Sequence, residues 1–239
     1  WSKTVWEVID LDERVNFPLY YPIDTVDIGS DRRSLYDVLI KNIKNGKIED
    51  IYVDSYFTEK RKFADLQATL QKVDTTDYGY EQLNAGEQVS PEYINKRDLT
   101  AADLEEYLIK GIWYFDKRQG ELKYRLLGIA PRAPDVNFID DESMDQEENK
   151  VALFWIWYPS ARQVLHEAKV FNQRNSAQPI SFDMLLNARR FEATIYKEDN
   201  VYGDRAIKDY ISDNSLFQLL ESDRIKETIR DKEQDMWSY

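Results

Sequence analysis

The sequence predicts an α+β fold in which a mixed, largely antiparallel sheet is flanked by amphipathic helices. Strand-like and helical patterns alternate along the chain without the regular spacing of a doubly wound parallel sheet. A hairpin signature at residues 117–120 separates two apolar runs, which favours antiparallel pairing. The 239 residues are 42% hydrophobic and 13% aromatic, so the chain can bury a core without disulfides, which a protein with no cysteine cannot form.

Residues 1–33 are predicted to form an extended N-terminal arm with a first strand at residues 5–9. Pro18 and Pro22 punctuate residues 16–22, and because proline does not fit inside a helix, we expect an extended segment there. Exposed apolar patches are uncommon on monomers, so we expect this segment to lie on the protein's own body, with a partner's surface as the alternative. Its large apolar side chains are Phe17, Leu19, Tyr20 and Tyr21.

Residues 34–239 are predicted to form a single α+β domain that opens with a helix at 34–45. Ser34 and Asp37 have the spacing of a helix N-cap, and Gly46 is placed to end the helix. The apolar residues between them recur on one face, which is typical of a helix that packs on a core. The next expected elements are a strand at 48–53, a helix at 63–73 and a polar surface loop at 74–98.

A second capping pattern, formed by Thr100 and Asp103, predicts a helix that ends at Gly111. The hairpin strands then follow at 112–115 and 122–129. Residues 151–158 are apolar throughout, so we expect a central strand with both faces covered, on which Trp155 and Trp157 share one side. The remaining expected elements are helices at 160–169 and 181–190, a strand at 192–197, and a last helix at 215–236 capped by Ser215 and Gln218.

Two parts of the sequence show a weak internal similarity. In each part, a strand with a tryptophan precedes a serine-capped helix, which leads to an Ile-Tyr strand. A duplicated strand–helix–strand unit would explain the shared order and spacing, and chance similarity between common helix starts is the alternative. The residues concerned are Trp6, Ser34 and Ile51 in the first part and Trp155, Ser181 and Ile195 in the second.

The chain carries 32 basic and 45 acidic residues, for a formal net charge of −13. This balance disfavours binding to nucleic acid and to anionic lipid, since both require clustered Lys and Arg. No stretch approaches the roughly 18 apolar residues of a membrane span, so we expect no direct insertion. Residues 135–149 contain seven acids and no base, which predicts a solvated acidic loop. A calcium site is the alternative, although the loop lacks the spacing of an EF-hand.

Candidate catalytic residues are few, and we expect neither a catalytic site nor a metal site. The absence of cysteine and the single histidine exclude thiolate nucleophiles, zinc fingers, iron–sulfur clusters and histidine-rich metal sites. His166 falls on an expected helix, and the sequence has no G-x-S-x-G motif, so we expect His166 to carry no chemistry. The glycines form neither a G-x-G-x-x-G motif nor a P-loop, so we expect no cofactor. A carboxylate pair for glycoside hydrolysis stays open, because 45 acids always offer pairs.

Five short strings in the sequence carry a resemblance to a known family. They are Phe-Trp-Ile-Trp-Tyr-Pro-Ser-Ala-Arg at 154–162, Val-Phe-Asn at 170–172, and Ile-Tyr-Lys-Glu-Asp-Asn-Val-Tyr at 195–202, with residues 16–22 and 34–37 near the start. These strings resemble the gliding-motility family GldN, also called PorN, and the resemblance runs from about residue 5 to about residue 211. They are structural strings and not catalytic signatures, so they indicate a family without indicating a reaction.

The resemblance implies a non-enzymatic periplasmic structural subunit of the type IX secretion and gliding machinery. It implies association with an outer-membrane lipoprotein, GldK or PorK, in a large ring beneath the outer membrane that receives work from the motor proteins GldL and GldM. We therefore expect partners of the GldK/PorK type and the periplasmic part of GldM or PorM. The large apolar side chains of the arm make Phe17, Leu19, Tyr20 and Tyr21 the candidate contacts. The alternatives are a carbohydrate-active hydrolase that uses a carboxylate pair, and a periplasmic peptide- or glycan-binding module.

Overall fold

The structure is a computed structural model, and it describes residues 1–24, 26–27, 31–86, 88, 90–139, 149–212 and 214–237. Helices and strands alternate along the chain, as the sequence predicts. The helices are α1 (Phe17–Tyr20), α2 (Leu35–Lys44), α3 (Phe63–Leu70), α4 (Asp77–Asn84), α5 (Tyr158–Glu167), α6 (Phe182–Asn187), α7 (Ile207–Tyr210) and α8 (Ser215–Trp237). The strands are β1 (Ser2–Asp10), β2 (Ile51–Tyr52), β3 (Gln71–Thr75), β4 (Ile94–Asp98), β5 (Glu106–Asp116), β6 (Glu121–Pro134), β7 (Lys150–Ala152), β8 (Trp155–Trp157), β9 (Lys169–Val170), β10 (Ile180–Ser181) and β11 (Thr194–Glu198).

The central element is a seven-stranded antiparallel sheet in the order β11-β1-β5-β6-β8-β2, with β7 paired to β6. The hairpin of β5 and β6 lies at its middle and turns at residues 117–120, which confirms the predicted hairpin. Two small two-stranded sheets, β3 with β4 and β9 with β10, lie outside it. The α+β class, the largely antiparallel pairing and the flanking helices are therefore confirmed.

The main core lies between one face of this sheet and the helices α2, α5 and α6. Ile109, Ile129 and Ile156 project to this side from adjacent strands and have no exposed area. Leu39 of α2 and Leu165 of α5 meet them and are also completely buried. Removing an aliphatic side chain of this size from water contributes about 1.5–3 kcal/mol, so the burial of these five side chains makes a large contribution to the stability of the fold.

The opposite face of the sheet carries a smaller cluster of Trp6, Leu108, Ala130 and Trp155. Successive strand residues point to opposite faces, which explains why Trp155 lies here and its neighbour Ile156 lies in the main core, as predicted.

The segment 53–60 covers part of this second face through Phe57, whose φ is 60° and whose ring centroid lies 4.9 Å from that of Trp157. Phe57 also packs on Gly128 of β6, where a Cβ atom would overlap its ring.

Two predicted helix starts are confirmed by their capping hydrogen bonds. The backbone N–H of Asp37 donates to Ser34 Oγ at 3.1 Å at the start of α2. The N–H of Met184 makes the same bond to Ser181 at the start of α6. The prediction for the last helix was wrong in its cap, because Asn214 accepts from the N–H of Phe217 at 3.2 Å and so takes the N-cap position.

The predicted helix between Thr100 and Gly111 is wrong. Thr100 and Asp103 do form a capping box, but the helical part is the single 3-10 turn Ala101–Asp103, and the chain then enters β5. β5 pairs with β1 along one edge and with β6 along the other. Pairing along both edges of an eleven-residue strand outweighs a local capping signal worth about 1 kcal/mol.

The predicted surface loop at 74–98 is also wrong, since it contains the end of β3, the helix α4 and the strand β4. Val73, which was expected on a helix, lies in β3 and is 53% exposed. Both strands are polar and pair only with each other, in register from Gln71 opposite Asp98. Strands without an apolar face lack the alternation by which a sequence reveals them.

Other predictions are confirmed only in part. The strand at 48–53 is reduced to β2, and the run 151–158 is divided into β7 and β8. β8 is covered on both faces and lies between β6 and the edge strand β2.

Three further expectations concern the internal duplication, the acidic loop and the boundary at residue 33. The structure does not show the internal duplication. Most of the acidic run, residues 140–148, lies outside the described residues, so its solvated state stays a prediction. The division at residue 33 also stays a prediction, although β1 pairs with β5 and β11 in the main sheet.

Candidate partner-binding surfaces

The segment 16–22 begins with a buried asparagine that ties it to the body. Asn16 has no exposed area, and its amide donates to Asp10 O at 2.6 Å and to Glu192 O at 3.1 Å. Its side-chain oxygen accepts from the N–H of Glu192 at 2.9 Å. The side chain therefore joins the end of β1 to the residues just before β11, and fixes where the chain after it starts.

The prediction of an extended conformation for this segment was wrong, because Phe17–Tyr20 forms the helical turn α1. Pro18 lies in the first turn, where a helix tolerates proline because the N–H that proline lacks would have no partner there. The next peptide bond to proline, Tyr21–Pro22, is cis. The expectation that the segment packs on the protein's own body is confirmed, since Leu19 is completely buried in the main core.

The four candidate contact residues of this turn differ in their accessibility. Leu19 is unavailable to a partner, Phe17 and Tyr20 are half-buried, and Tyr21 is 49% exposed. The ring centroid of Tyr21 lies 5.4 Å from that of Phe17 and 4.8 Å from that of Tyr20. The segment thus presents a small aromatic cluster on a short helix that is itself anchored in the core.

A groove of about 640 Å³ runs along this cluster and is closed on its far side by Phe171. Phe171 is 43% exposed, and the guanidinium of Arg32 lies over its ring at 5.2 Å from the centroid. The side-chain amide of Gln173 donates to Arg14 O at 3.2 Å, which joins the two walls. A second cavity of about 480 Å³ continues from Pro18 and Phe171 toward Arg174 and Arg190. We call these two continuous cavities the arm groove.

Phe171 was not among the predicted site residues. It belongs to the Val-Phe-Asn string at 170–172, in which Val170 is 2% exposed and Phe171 points outward. The side chain of Asn172 donates to Gln178 O at 3.0 Å and closes the loop that carries Phe171. A phenylalanine next to a buried strand residue is a weak signal alone, and only the fold brings it opposite residues 17–21.

A second exposed surface lies on the first turns of α8. Leu216, Phe217, Leu219 and Leu220 are between 46% and 60% exposed, although all four are large and apolar. We call these four residues the α8 surface.

The α8 surface borders a groove of about 790 Å³ whose floor includes Val8, Leu108 and Tyr196. The helix is held from its other side by Ile225 and Ile229, which pack on Val5 and Ile195.

The family comparison covers the whole of this architecture. A family model described as "Gliding motility associated protein GldN" matches residues 1–238. This chain belongs to the GldN family. The match extends through α8, beyond residue 211 where the resemblance read from the sequence ended. No curated protein matches the chain. GldN is a gliding-motility component that is not generally known as an enzyme.

The GldN string at residues 154–162 supports the arm groove, whereas Ile195 and Tyr196 of the string at 195–202 line the groove beside α8. Residues 154–157 include β8, and Tyr158 and Arg162 of the next helix both bind Asp183 at the start of α6. The hydroxyl of Tyr158 donates to Asp183 at 2.7 Å, and Arg162 Nε donates at 2.9 Å. Burial alone would raise the pKa of Asp183, but these hydrogen bonds outweigh it and lower the pKa below its ordinary value. This network holds α6, whose Leu185 lines the arm groove.

A buried ion pair supports the same groove from the sheet. Glu7 of β1 is 1% exposed and accepts two hydrogen bonds from Arg189, at 2.9 and 2.8 Å. Tyr124 donates to the same carboxylate at 3.1 Å, and its ring packs on Gly111, where a Cβ would overlap it. Burial alone would lower the pKa of Arg189, but Glu7 raises it above its ordinary value. Arg189 is therefore a fixed cation at the edge of the groove.

The remaining sequence candidates are His166 and the metal-ligating residue types. His166 is exposed on α5, away from both grooves. Among the described residues, no three His, Cys, Asp or Glu side chains are grouped to hold a metal ion. No helix within the same residues is long and apolar enough to cross a membrane.

Proposed function

We propose that this GldN chain is a non-enzymatic structural subunit of the type IX secretion and gliding machinery, and that it works in the periplasm through protein–protein contacts. The arm groove captures an outer-membrane lipoprotein of the GldK/PorK type, and the assembled subunits form a ring. The α8 surface contacts the next component of the assembly, and the ring receives work from the periplasmic part of GldM or PorM. Membership of the GldN family supports this proposal, as does the abundance of exposed aromatic residues.

One observation carries the proposal further than the family does: the two exposed surfaces share no residue, and the sheet residues that floor the groove beside α8 face away from the main core in which the arm is anchored. Val8 pairs with Leu108, and both face the groove beside α8. Ile9, the next residue, lies in the main core together with Leu19 of the arm. A ring requires two different surfaces on each subunit, because its contacts are heterologous. An enzyme requires only one site.

The hydrolase alternative finds less support in these grooves. Among the described residues, no carboxylate lines the arm groove, and Asp209 is the single one that lines the groove beside α8. Glycoside hydrolysis requires two carboxyl groups about 5–10 Å apart across a cleft. A peptide- or glycan-binding module stays a second candidate, because the arm groove is concave and aromatic.

Co-purification with the lipoprotein tests the proposal. The tagged lipoprotein should retain the wild-type GldN chain, and particle imaging of the eluate should show closed rings. Tyr21→Ala should weaken capture without lowering the melting temperature, because Tyr21 is 49% exposed. Val201→Ala, at a position 93% exposed and outside both grooves, is the matched control. No capture of the wild-type chain, or hydrolysis of a glycan by the isolated chain, would contradict the proposed function.

A further inference from the structure

The charge of the arm groove is opposite to that of the protein. The whole chain has 45 acidic and 32 basic residues, so acids outnumber bases in an average sample of its residues. The lining of the arm groove contains no carboxylate among the described residues. It does contain five arginines: Arg14, Arg32, Arg174, Arg189 and Arg190.

Three of these arginines have charges that are available to a ligand. Arg14, Arg174 and Arg190 are exposed, and in the described part of the chain none of their guanidinium groups forms an ion pair. Arg189, by contrast, is committed to Glu7. Within the described residues these three guanidinium groups therefore give the groove positive charge that no salt bridge offsets, while Asp31 and Glu167 line the adjoining cavity that shares Arg32 and Phe171 with it.

The same groove also presents aromatic side chains, which lie between its arginines. Phe17, Tyr21 and Phe171 line it, and Arg32 lies on the Phe171 ring at 5.2 Å from the centroid. A ligand that combines carboxylates with an apolar side chain matches both features.

We propose that the arm groove binds an extended, acidic polypeptide segment of another protein, with an aromatic or large aliphatic side chain of that segment seated between Tyr21 and Phe171. Carboxylates of the segment pair with Arg14 at one end and with Arg174 and Arg190 at the other. This assignment rests on the proposed function in one respect, namely that the arm groove is a docking surface.

A short segment fits this groove better than a long polyanion does. The Debye length at physiological salt is about 8 Å, so a short acidic segment is influenced mainly by the arginines next to it. A nucleic acid or an anionic membrane would extend over the rest of a chain whose net charge is −13, and would be repelled there. The occupant is therefore a polypeptide segment and not a nucleic acid or a lipid surface.

Fluorescence anisotropy with a synthetic probe tests this directly on the isolated full chain. The probe is a short labelled peptide of alternating Glu and Gly with one central Phe. Two further peptides carry Lys in place of every Glu, or Gly in place of the Phe. The Glu-Phe peptide should bind, the Lys peptide should not, and loss of the Phe should weaken binding about fivefold or more. Raising the salt from about 0.01 M to about 0.15 M should weaken binding strongly, since the Debye length falls from about 30 Å to about 8 Å.

Variants locate the binding in the groove. Arg174→Glu with Arg190→Glu should weaken binding about tenfold, and Phe171→Ala about fivefold. The matched control is Lys117→Glu with Arg118→Glu, which makes the same change in net charge on the exposed β5–β6 turn and should leave affinity within about twofold. Melting temperatures are measured for every variant, and circular dichroism confirms that each is folded.

Four outcomes overturn the assignment: no binding of the Glu-Phe peptide at low salt, equal binding of the Lys peptide, an equal loss in the turn control, or binding indifferent to the Phe and to Phe171. Self-association that is lost in the groove variants would show that a second copy is the occupant, and would also overturn it. The peptide assay contains no lipoprotein, so an absence of peptide binding would not count against capture of the lipoprotein. Failure of capture with intact peptide binding would instead count against the proposed function.

Discussion

The arm groove and the α8 surface are both exposed, but the fold holds them in different ways. The residues of the arm groove are attached to buried polar groups, with Asn16 bonded to two backbone segments and Arg189 bonded to Glu7. The apolar residues of the α8 surface project from a helix that is anchored by Ile225 and Ile229, which lie further along. Changes to the buried residues that hold the arm groove therefore alter stability as well as binding, whereas changes to exposed residues, on the α8 surface or at Tyr21, should alter binding alone.

The largest effect is expected from Glu7→Ala. The substitution leaves the guanidinium of Arg189, whose side chain is 25% exposed, without its carboxylate; breaking a fully buried pair costs about 3–5 kcal/mol, so we expect a loss of up to that size. Urea denaturation should show a large fall in the midpoint.

The double variant Glu7→Ala with Arg189→Ala, which removes both charges, is the control and should lose less than the sum of the two single changes. If the losses in the free energy of unfolding are additive, Glu7 and Arg189 do not stabilise each other, which would contradict this prediction.

The next largest effect compares two residues of the arm. Leu19→Ala should lower the free energy of unfolding by about 2–5 kcal/mol, because the side chain is completely buried in the main core. Tyr21→Ala should change stability by about 0.5 kcal/mol or less and should act on binding instead.

Thermal unfolding of both variants, with capture by the lipoprotein as a second readout, checks this separation. A large loss of stability in Tyr21→Ala would mean that the exposed ring belongs to the fold and not to an interface.

The hydrogen bonds that Asp183 of α6 accepts from Tyr158 and Arg162 of α5 make the stability of the protein sensitive to acid. The pKa of Asp183 is lowered in the folded state, so the contact stabilises the protein above the ordinary pKa of about 3.8, and this stabilisation is lost as the pH falls through the lowered value. Asp183→Asn should therefore be less stable than the wild type near neutral pH, and the difference should shrink below about pH 4.

Stability measured against pH for both proteins tests this, with Asp235→Asn on the exposed end of α8 as the control. A difference that is independent of pH would contradict the account.

The comparison also shows which features the sequence could predict. The Ser34 cap and the β5–β6 turn are local signals, because the residues that make the contact are close together in the chain. Thr100 and Asp103 form an equally good local signal, yet the chain after them becomes a strand because it pairs with β1, about a hundred residues earlier in the sequence.

The arm groove likewise depends on contacts between residues that are distant in the chain, which the sequence alone does not predict. Residues 17–21 were identifiable as a candidate contact from their aromatic character and their prolines. Phe171 and the arginines around it were not, because they meet the arm only through the packing of α6 and the loop after β9. Their shared location depends on contacts between distant parts of the chain, such as Gln173 with Arg14.

The most direct test of the account separates capture from ring closure with one variant of each surface. Tyr21→Ala with Phe171→Ala alters the arm groove, and Leu216→Ser with Leu220→Ser alters the α8 surface; the second variant should keep the wild-type stability within about 0.5 kcal/mol. Each is mixed with the lipoprotein, and the retained protein is quantified and imaged. The account predicts that the arm-groove variant is not captured, whereas the α8 variant is captured but forms no closed rings. Normal capture and normal rings with both variants would contradict it.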